Sequence, residues 1–480
     1  MPRKERKPFP VFENVLIIDA GAEGKAIARI EDKVIFIPFV VPGDVVDIQV
    51  VAKKKSFFEG KAIKLHIPSD KRTEPFCSHF GTCGGCRWQN MKYEDQLFYK
   101  QKQIEDNFQR IGKFEFPPLR PIIASENTQY YRNKLEYTFS ERRWLTSKDM
   151  PMIPGDKGML SLGFHVPLIF DKILDIDHCY LQPAPSDELR LAAKKYAVDH
   201  DLTFYNARTW TGFLRNMIIR NNTSGQVMLI MVFGNNDNEA IKSMLTHLAE
   251  KFPQVSSLMY TINTKKNDVI SDLEIILYKG EPFLVEQMPS FVRERNPLKF
   301  KIGPVSFYQT NPVQAFQLYK TVYDLAEFKG SEIVYDLYTG TGTIANFIAG
   351  AVNKVIGIEY ISSAIDDARE NSVANHIVNT AYFAGDMVKV LNEEFVLENG
   401  KPDIVITDPP RSGMHDKVIR QLMEIGPEKI IYVSCNPATQ ARDIALMDEF
   451  YQVTVVQPVD MFPHTHHVEN VALLIKRPVH

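Results

Sequence analysis

Cys435 stands in Ser434-Cys435-Asn436-Pro437, directly after the β-prone run Ile430-Ile431-Tyr432-Val433, so it should lie just past a strand's carboxyl end. In open α/β sheets ligands bind in the crevice outside those ends, where a thiol can reach a substrate. A lone cysteine is commonly only a small buried hydrophobe, so its position by itself leaves the role open. Three other stretches point into the same crevice. Asp336-Leu337-Tyr338-Thr339-Gly340-Thr341-Gly342 follows an apolar run, and Gly340 and Gly342 permit a tight turn that lets backbone approach a ligand. Glu359, nineteen residues past Gly340, ends the next apolar run, where a carboxylate can accept both hydroxyls of a ribose. This pattern predicts an adenosine-type ligand and leaves NAD and S-adenosylmethionine both open.

Asp408-Pro409-Pro410-Arg411 follows Ile404-Val405-Ile406-Thr407. Such a turn aims an acid and backbone carbonyls into the crevice and suits a methyltransferase that grips the edge of a planar nitrogen heterocycle. The plainer alternative is a strand terminator, because consecutive prolines end any ladder. Glu469 sits in Asp460-Met461-Phe462-Pro463-His464-Thr465-His466-His467-Val468-Glu469-Asn470, just before the last apolar strand. A thiol, a base and a methyl donor are together the minimum set for methylating carbon 5 of uracil. That carbon is a poor nucleophile until a thiolate adds at carbon 6, and a base must later remove the carbon 5 proton so that the thiol can leave. The neighbouring histidines could suggest a metal, but no further ligands at suitable spacing accompany them. They read as residues that orient the loop.

The remaining cysteines run Cys77-x5-Cys83-x2-Cys86, with Gly84-Gly85 inside the last pair and Cys179 well downstream. Three thiols at that spacing predict a metal site, either zinc or an iron–sulfur cluster. A disulfide framework is not expected in a cytosolic chain. The basic start Met1 to Pro8 has no apolar segment behind it, so no secretory signal is expected, and no apolar run approaches the ~20 residues that span a bilayer. We therefore expect a cytoplasmic protein with no membrane partner and no obligate protein partner.

These residues need elements to position them. A chain of 480 residues implies several domains. Residues 1–70 read as short strands punctuated by Gly21, Gly24, Pro42-Gly43-Asp44 and Gly60, the pattern of a small OB-type β-barrel. Its hairpin Lys53-Lys54-Lys55-Ser56-Phe57-Phe58 is either a nucleic-acid grip or a solvated tip with a core-facing phenylalanine. Net charge is −3 overall, but residues 1–72 carry +4, which leaves −7 for the rest, so phosphate binding must come from local patches. Residues 71–300 open with a helix that carries Tyr93, Leu97, Ile104, Phe108 and Ile111 on one face and stops at Gly112. An α+β module follows, with Arg132, Lys134, Arg142, Arg143, Arg215 and Arg220 on or beside its strands, which predicts a wet sheet face. Residues 301–480 alternate strand and helix and predict a doubly wound parallel sheet.

With these motifs and the Phe307-Tyr308-Gln309-Thr310-Asn311 box together, the chain resembles the RNA (uracil-C5)-methyltransferases, specifically the 23S rRNA branch with a TRAM domain and an iron–sulfur cluster. The resemblance spans nearly the whole chain. It implies Cys435 as nucleophile, Glu469 as proton acceptor, and Gln309, Tyr338, Gly340, Glu359, Asp386 and Asp408 as contacts to S-adenosylmethionine. It also implies that Cys77, Cys83, Cys86 and Cys179 hold a 4Fe-4S cluster and that the RNA partner is 23S rRNA. Thr343 departs from the asparagine common in relatives, which puts its cofactor contact in doubt. The barrel and the cysteine quartet argue against the tRNA-modifying branch. The rival readings are an adenine amino-methyltransferase, an NAD-dependent oxidoreductase and a non-catalytic, metal-stabilised RNA-binding protein.

Overall fold

The computed structural model describes residues 9–30, 32–146, 157–291 and 296–478; the basic start Met1 to Pro8 lies outside them. Strands Val11–Leu16, Asp19–Ala20, Ala26–Ile30, Lys33–Ile37, Val45–Lys53 and Phe57–Ile67 form one six-stranded sheet. Val11–Leu16 pairs with one end of that sheet and Asp19–Ala20 with the other, and the Ile18 amide donates to the Ile27 carbonyl between them, so the sheet closes on itself. Val46, Ile48 and Val50 alternate into the barrel interior, as strand periodicity requires. Phe58 is part of that core, with the Lys33 and Lys53 ammonium groups over its ring. The core-facing alternative for this hairpin is therefore the one realised for Phe58.

Residues 134–280 supply a seven-stranded sheet in the order Ile276–Gly280, Val255–Ile262, Val227–Phe233, Leu214–Asn221, Lys134–Ser140, Ser161–His165, Ile173–Asp175. Helices Ser186–Asp199 and Asn238–Lys251 share a core with one face of it, while Leu284 packs on Ile218, Met228 and Ile230 from the other. The wet face expected from the basic strand residues is not there for two of them. Arg215 and Arg220 are buried. Arg220 donates to the Ser306 carbonyl at 2.8 Å, and burial pulls its pKa down to about 10. A long guanidinium can reach backbone carbonyls beyond its own sheet, so a basic residue on a strand need not mark a solvated face.

The third large sheet runs Thr380–Ala384, Lys354–Glu359, Ile333–Leu337, Ile404–Thr407, Lys429–Ser434, Glu469–Lys476, Tyr451–Val459. The first five strands are mutually parallel. Glu469–Lys476 corrects the expectation of a wholly parallel sheet, because it runs antiparallel to both of its neighbours. The reason is the short connection. Only residues 460–468 join it to the preceding strand, fewer than the dozen or so a parallel crossover needs. The reversal brings Glu469 to the sheet end where the parallel strands finish.

That connection is held by a buried ion pair. The Lys100 ammonium, on helix Tyr93–Asn107, donates to Asp460 Oδ1 at 2.6 Å, and neither side chain has any exposed surface. Tyr93 Oη donates to Asp460 Oδ2 at 2.8 Å, the Phe462 amide donates to Oδ1 at 3.0 Å, and Lys100 also reaches the Phe462 carbonyl at 3.0 Å. Removing one partner of such a pair leaves an uncompensated charge in the interior, which costs about 3–5 kcal/mol. Lys100→Met should lower the unfolding free energy measured in urea by that amount, and pairing it with Asp460→Asn should recover part of the loss. Equal stability of the single and double variants would contradict this account.

Candidate functional site

The strand register builds the site. Ser434 lies opposite Asn470 across the antiparallel pair, so Cys435 and Glu469 are each one residue further on, at the same end of adjacent strands. Asn436 caps helix Pro437–Met447 by accepting the Ala438 amide at 3.2 Å, and Pro437 fits the first helical turn because its missing N–H is not needed there. The same asparagine donates through Nδ2 to the Arg411 carbonyl at 2.9 Å. The cap thus holds the Asp408-Pro409-Pro410-Arg411 turn beside the cysteine.

Charge in this crevice is crowded. Burial pushes the Cys435 thiol up to about 11, and the carboxylates of Glu469 and Asp408 push the same way, against a hydrogen-bonded Arg411 guanidinium. Glu469 is raised to about 8, chiefly by burial and then by Asp408. Asp408 is raised to about 7 by burial and by Asp336. Asp336 is also raised to about 7, by burial first, although Thr339 Oγ1 donates to it at 2.5 Å. The Ala345 backbone amide also opposes that rise. Desolvation disfavours the charged form of each acid, so they share protons near neutrality. The sequence named Cys435, Glu469 and Asp408. It did not reveal that Arg411 hydrogen-bonds the thiol or that Asp336 extends the acidic row; the D-P-P-R motif was the available signal for the former.

Beside this crevice lies the glycine turn. Tyr338, Gly340 and Gly342 all have positive φ, at 63°, 56° and 73°. A Cβ on Gly342 would come within 2.9 Å of Ala368 Cβ, whereas one on Gly340 would meet nothing within 4 Å, so Gly340 leaves open space along the turn. Glu359 is tied to the turn by the Gly340 amide at 3.2 Å and to its own loop by the Ile361 amide at 3.0 Å. Tyr338 and Asp386 line one cavity of about 490 Å³ with Tyr360, Gly385 and His415. Asp386 Oδ1 also accepts the Val388 amide at 3.0 Å. Gln309 is buried nearby, its carbonyl accepting from Asn133 Nδ2 at 3.0 Å, and the Phe307 carbonyl accepts from Thr341 Oγ1 of the glycine turn at 3.3 Å. Thr343 begins the following helix and spends its hydroxyl on Tyr319 Oη at 3.1 Å. Of the three histidines, His464 ties the loop to its neighbours. Residues 87 and 88 donate their amides to the His464 carbonyl, and Gln96 Nε2 lies 3.2 Å from His464 Nδ1. Burial pushes His464 and His466 down to about 4 and His467 down to about 3, so all three are neutral.

Cys77, Cys83, Cys86 and Cys179 line a separate cavity of about 490 Å³. Among the described residues no group of three or more His, Cys, Asp or Glu side chains is arranged to hold a metal ion. The donor set nevertheless suits thiolates. Backbone amides of His79 and Phe80 are directed at the Cys77 sulfur, those of Gly85 and Leu181 at Cys83 and Cys179, and the Gln89 side chain at Cys86. Without a compensating charge, burial pushes Cys86 and Cys179 up to about 12.

A family model for tRNA (uracil-5-)-methyltransferases matches residues 222–477, and a TRAM domain model matches residues 13–63. An uncharacterised RNA methyltransferase of Bacteroides thetaiotaomicron is 51% identical, over 95% of this chain and 99% of its own. One of Porphyromonas gingivalis is 49% identical, over 96% and 99%. Among solved structures, the Pyrococcus abyssi tRNA (uracil-54, C5)-methyltransferase in complex with S-adenosyl-L-homocysteine superposes with a TM-score of 0.73 at 27% identity, covering 96% of this chain and 100% of that one. The fold and the crevice are those of an S-adenosylmethionine-dependent methyltransferase. The chain belongs to the RNA (uracil-C5)-methyltransferase family, and the barrel at its start is a TRAM domain. No described helix is long and apolar enough to cross a membrane.

A raised carboxyl pKa favours the folded state below the unfolded value and loses that contribution as pH climbs through the folded one. For Glu469 the window runs from about 4.5 to about 8. Relative to wild type, Glu469→Gln should therefore be more stable in urea at pH 8.5 than at pH 5, by an amount that grows across that window. A difference independent of pH would contradict the burial of this acid.

Proposed function

We propose that this enzyme methylates carbon 5 of a uridine in 23S rRNA through covalent attack by Cys435. The observation that carries the mechanism is the meeting of the Cys435 thiol, the buried Glu469 carboxyl and Asp408 at one end of the sheet. The target base is flipped from its stack into the crevice, since carbon 6 must be reached from the face of the ring. Cys435 adds to carbon 6 as the thiolate, with Arg411 as the cation beside it, and carbon 5 gains the electron pair. S-adenosylmethionine, when bound, supplies the electrophilic methyl group. The ionised form of Glu469 then takes the proton from carbon 5 while the Cys435–carbon 6 bond breaks and its electron pair leaves with sulfur, giving 5-methyluridine and the Cys435 thiolate. With a pKa near 8, Glu469 holds and releases a proton readily at neutral pH.

Gln309, Tyr338, Gly340, Glu359, Asp386 and Asp408 are the proposed contacts to the methyl donor. Residues 301–480 would carry the chemistry, while residues 1–70 and 71–300 grip RNA through phosphates and stacking. Cys77, Cys83, Cys86 and Cys179 are the proposed ligands of a 4Fe-4S cluster, a reading supported by their sharing one cavity wall and by N–H donors of the kind that tune cluster sulfurs. A tRNA uridine is the second reading, and one observation favours it. The argument from domain content weakens because a tRNA-modifying enzyme covers 96% of this chain.

Incubation with S-adenosylmethionine and 5-fluorouridine-substituted rRNA or tRNA should give a covalent protein–RNA adduct with rRNA alone, because fluorine at carbon 5 cannot leave as a proton. Survival of the adduct in Cys435→Ala would sink the mechanism, and an adduct formed only with tRNA would move the substrate to the second reading. Glu469→Gln should accumulate adduct with ordinary uridine. Anaerobic purification should yield a brown protein carrying iron and sulfide; stoichiometric zinc would overturn the cluster.

A further inference from the structure

A groove of about 730 Å³ lies on the central sheet and shares no lining residue with the cavity beside the glycine turn. Its floor is Thr138 and Asn216, hydrogen-bonded to each other at 3.2 Å. One wall presents Leu168 and Phe170, which is 67% exposed. The other presents Trp210, half exposed and in the left-handed region at φ 57°. This unfavourable conformation is enforced by a tight turn. The Trp210 amide donates to the Asn206 carbonyl at 2.8 Å, and Asn206 Oδ1 accepts the amides of Arg208 and Thr209. Backbone strain held by its surroundings in this way tends to mark sites of use.

Cations stand among these rings. The Lys266 ammonium lies 3.9 Å over the Trp210 ring. Its loop is fixed by buried Arg215, which donates to the carbonyls of Asn263 and Lys265 at 2.6 Å each and to Asp268 at 3.0 Å. Arg142 and Arg208 share Asp171, at 2.9 and 2.6 Å. Among the described residues the exposed cations here are Arg208 and Lys266, beside Asp171, Asp268 and Glu141, the last accepting from Asn206 Nδ2. The cores of protein-docking faces are poor in charge, whereas aromatic faces interleaved with cations suit stacked bases and their phosphates. The groove also adjoins the cysteine cavity through His165 and Pro167, and that cavity includes Arg132, whose guanidinium lies over Phe462 in the loop before Glu469. A continuous row of residues therefore joins the groove to the crevice.

We propose that this groove is a second RNA contact that takes unpaired bases of the substrate, stacked on Trp210 and Phe170, with flanking phosphates at Arg208 and Lys266. The proposal rests on the chain's being an RNA methyltransferase and adds where else it holds its substrate. Of the three tryptophans, Trp88 is buried and Trp144 partly so, while Trp210 is half exposed, and the emission that Trp210→Ala removes identifies its share. Titration of the full-length protein with a short synthetic oligouridylate should quench that emission. Trp210→Ala should abolish most of the quench and weaken binding about tenfold, the usual scale for one stacked base. Trp210→Phe should retain the affinity, and Arg208→Ala with Lys266→Ala should weaken binding and flatten its salt dependence. Calorimetry with S-adenosylmethionine should give wild-type affinity in every variant, which separates local loss from misfolding. Unchanged wild-type emission, or binding by Trp210→Ala within about twofold of wild type, would overturn the proposal. Failure of methyl transfer would count against the activity and leave this binding result standing.

Discussion

The structure depends on one desolvated charge pair. Lys100 and Asp460 meet with no exposed surface, and the elements around them are tied to the same point. Helix Tyr93–Asn107 supplies the cation, the phenol of Tyr93 takes the second carboxylate oxygen, and Gln314 Nε2 donates to the Asp460 carbonyl at 2.8 Å. Burying two charges is expensive unless their hydrogen bonds are satisfied, and here both are. Burial still pulls the Lys100 pKa down, against the attraction of Asp460. What it fixes is the path of residues 460–468, and through that path the placement of Glu469.

Around the thiol, burial dominates pairwise charge. Asp336, Asp408 and Glu469 are each raised chiefly by desolvation, and each then raises its neighbour or the thiol. A row of acids that water could reach would be fully ionised at neutral pH. Drawn into the end of a sheet, the same row keeps some protons, and Arg411 is the single cation among the causes that act on both Cys435 and Glu469. The crevice therefore stores a few exchangeable protons beside a thiol that is itself protonated at rest.

Much of this was legible from local pattern. Apolar runs followed by Ser-Cys-Asn-Pro or Asp-Pro-Pro mark strand ends whatever the tertiary context, and the observed strands Ile404–Thr407 and Lys429–Ser434 end where those turns begin. Direction was not legible, because a strand's periodicity is the same run either way; only the shortness of 460–468 signalled that Glu469–Lys476 is reversed. Contacts across long separations left no trace. Nothing near Lys100 announces a partner 360 residues away, and the buried Arg215 and Arg220 look like surface cations until their carbonyl partners are seen.

The sequence separation of that clamp bears on how the chain is made. Lys100 and Asp460 are 360 residues apart, so the clamp cannot close until the intervening chain has been made. Contacts between such distant residues form late, because a long loop must close before they reward it. The TRAM barrel and the central sheet can fold as they emerge, yet the crevice lacks its buried acid until the last strand inserts between two strands already in place. A chain made only as far as the central sheet can thus be folded in part while its chemistry remains unassembled.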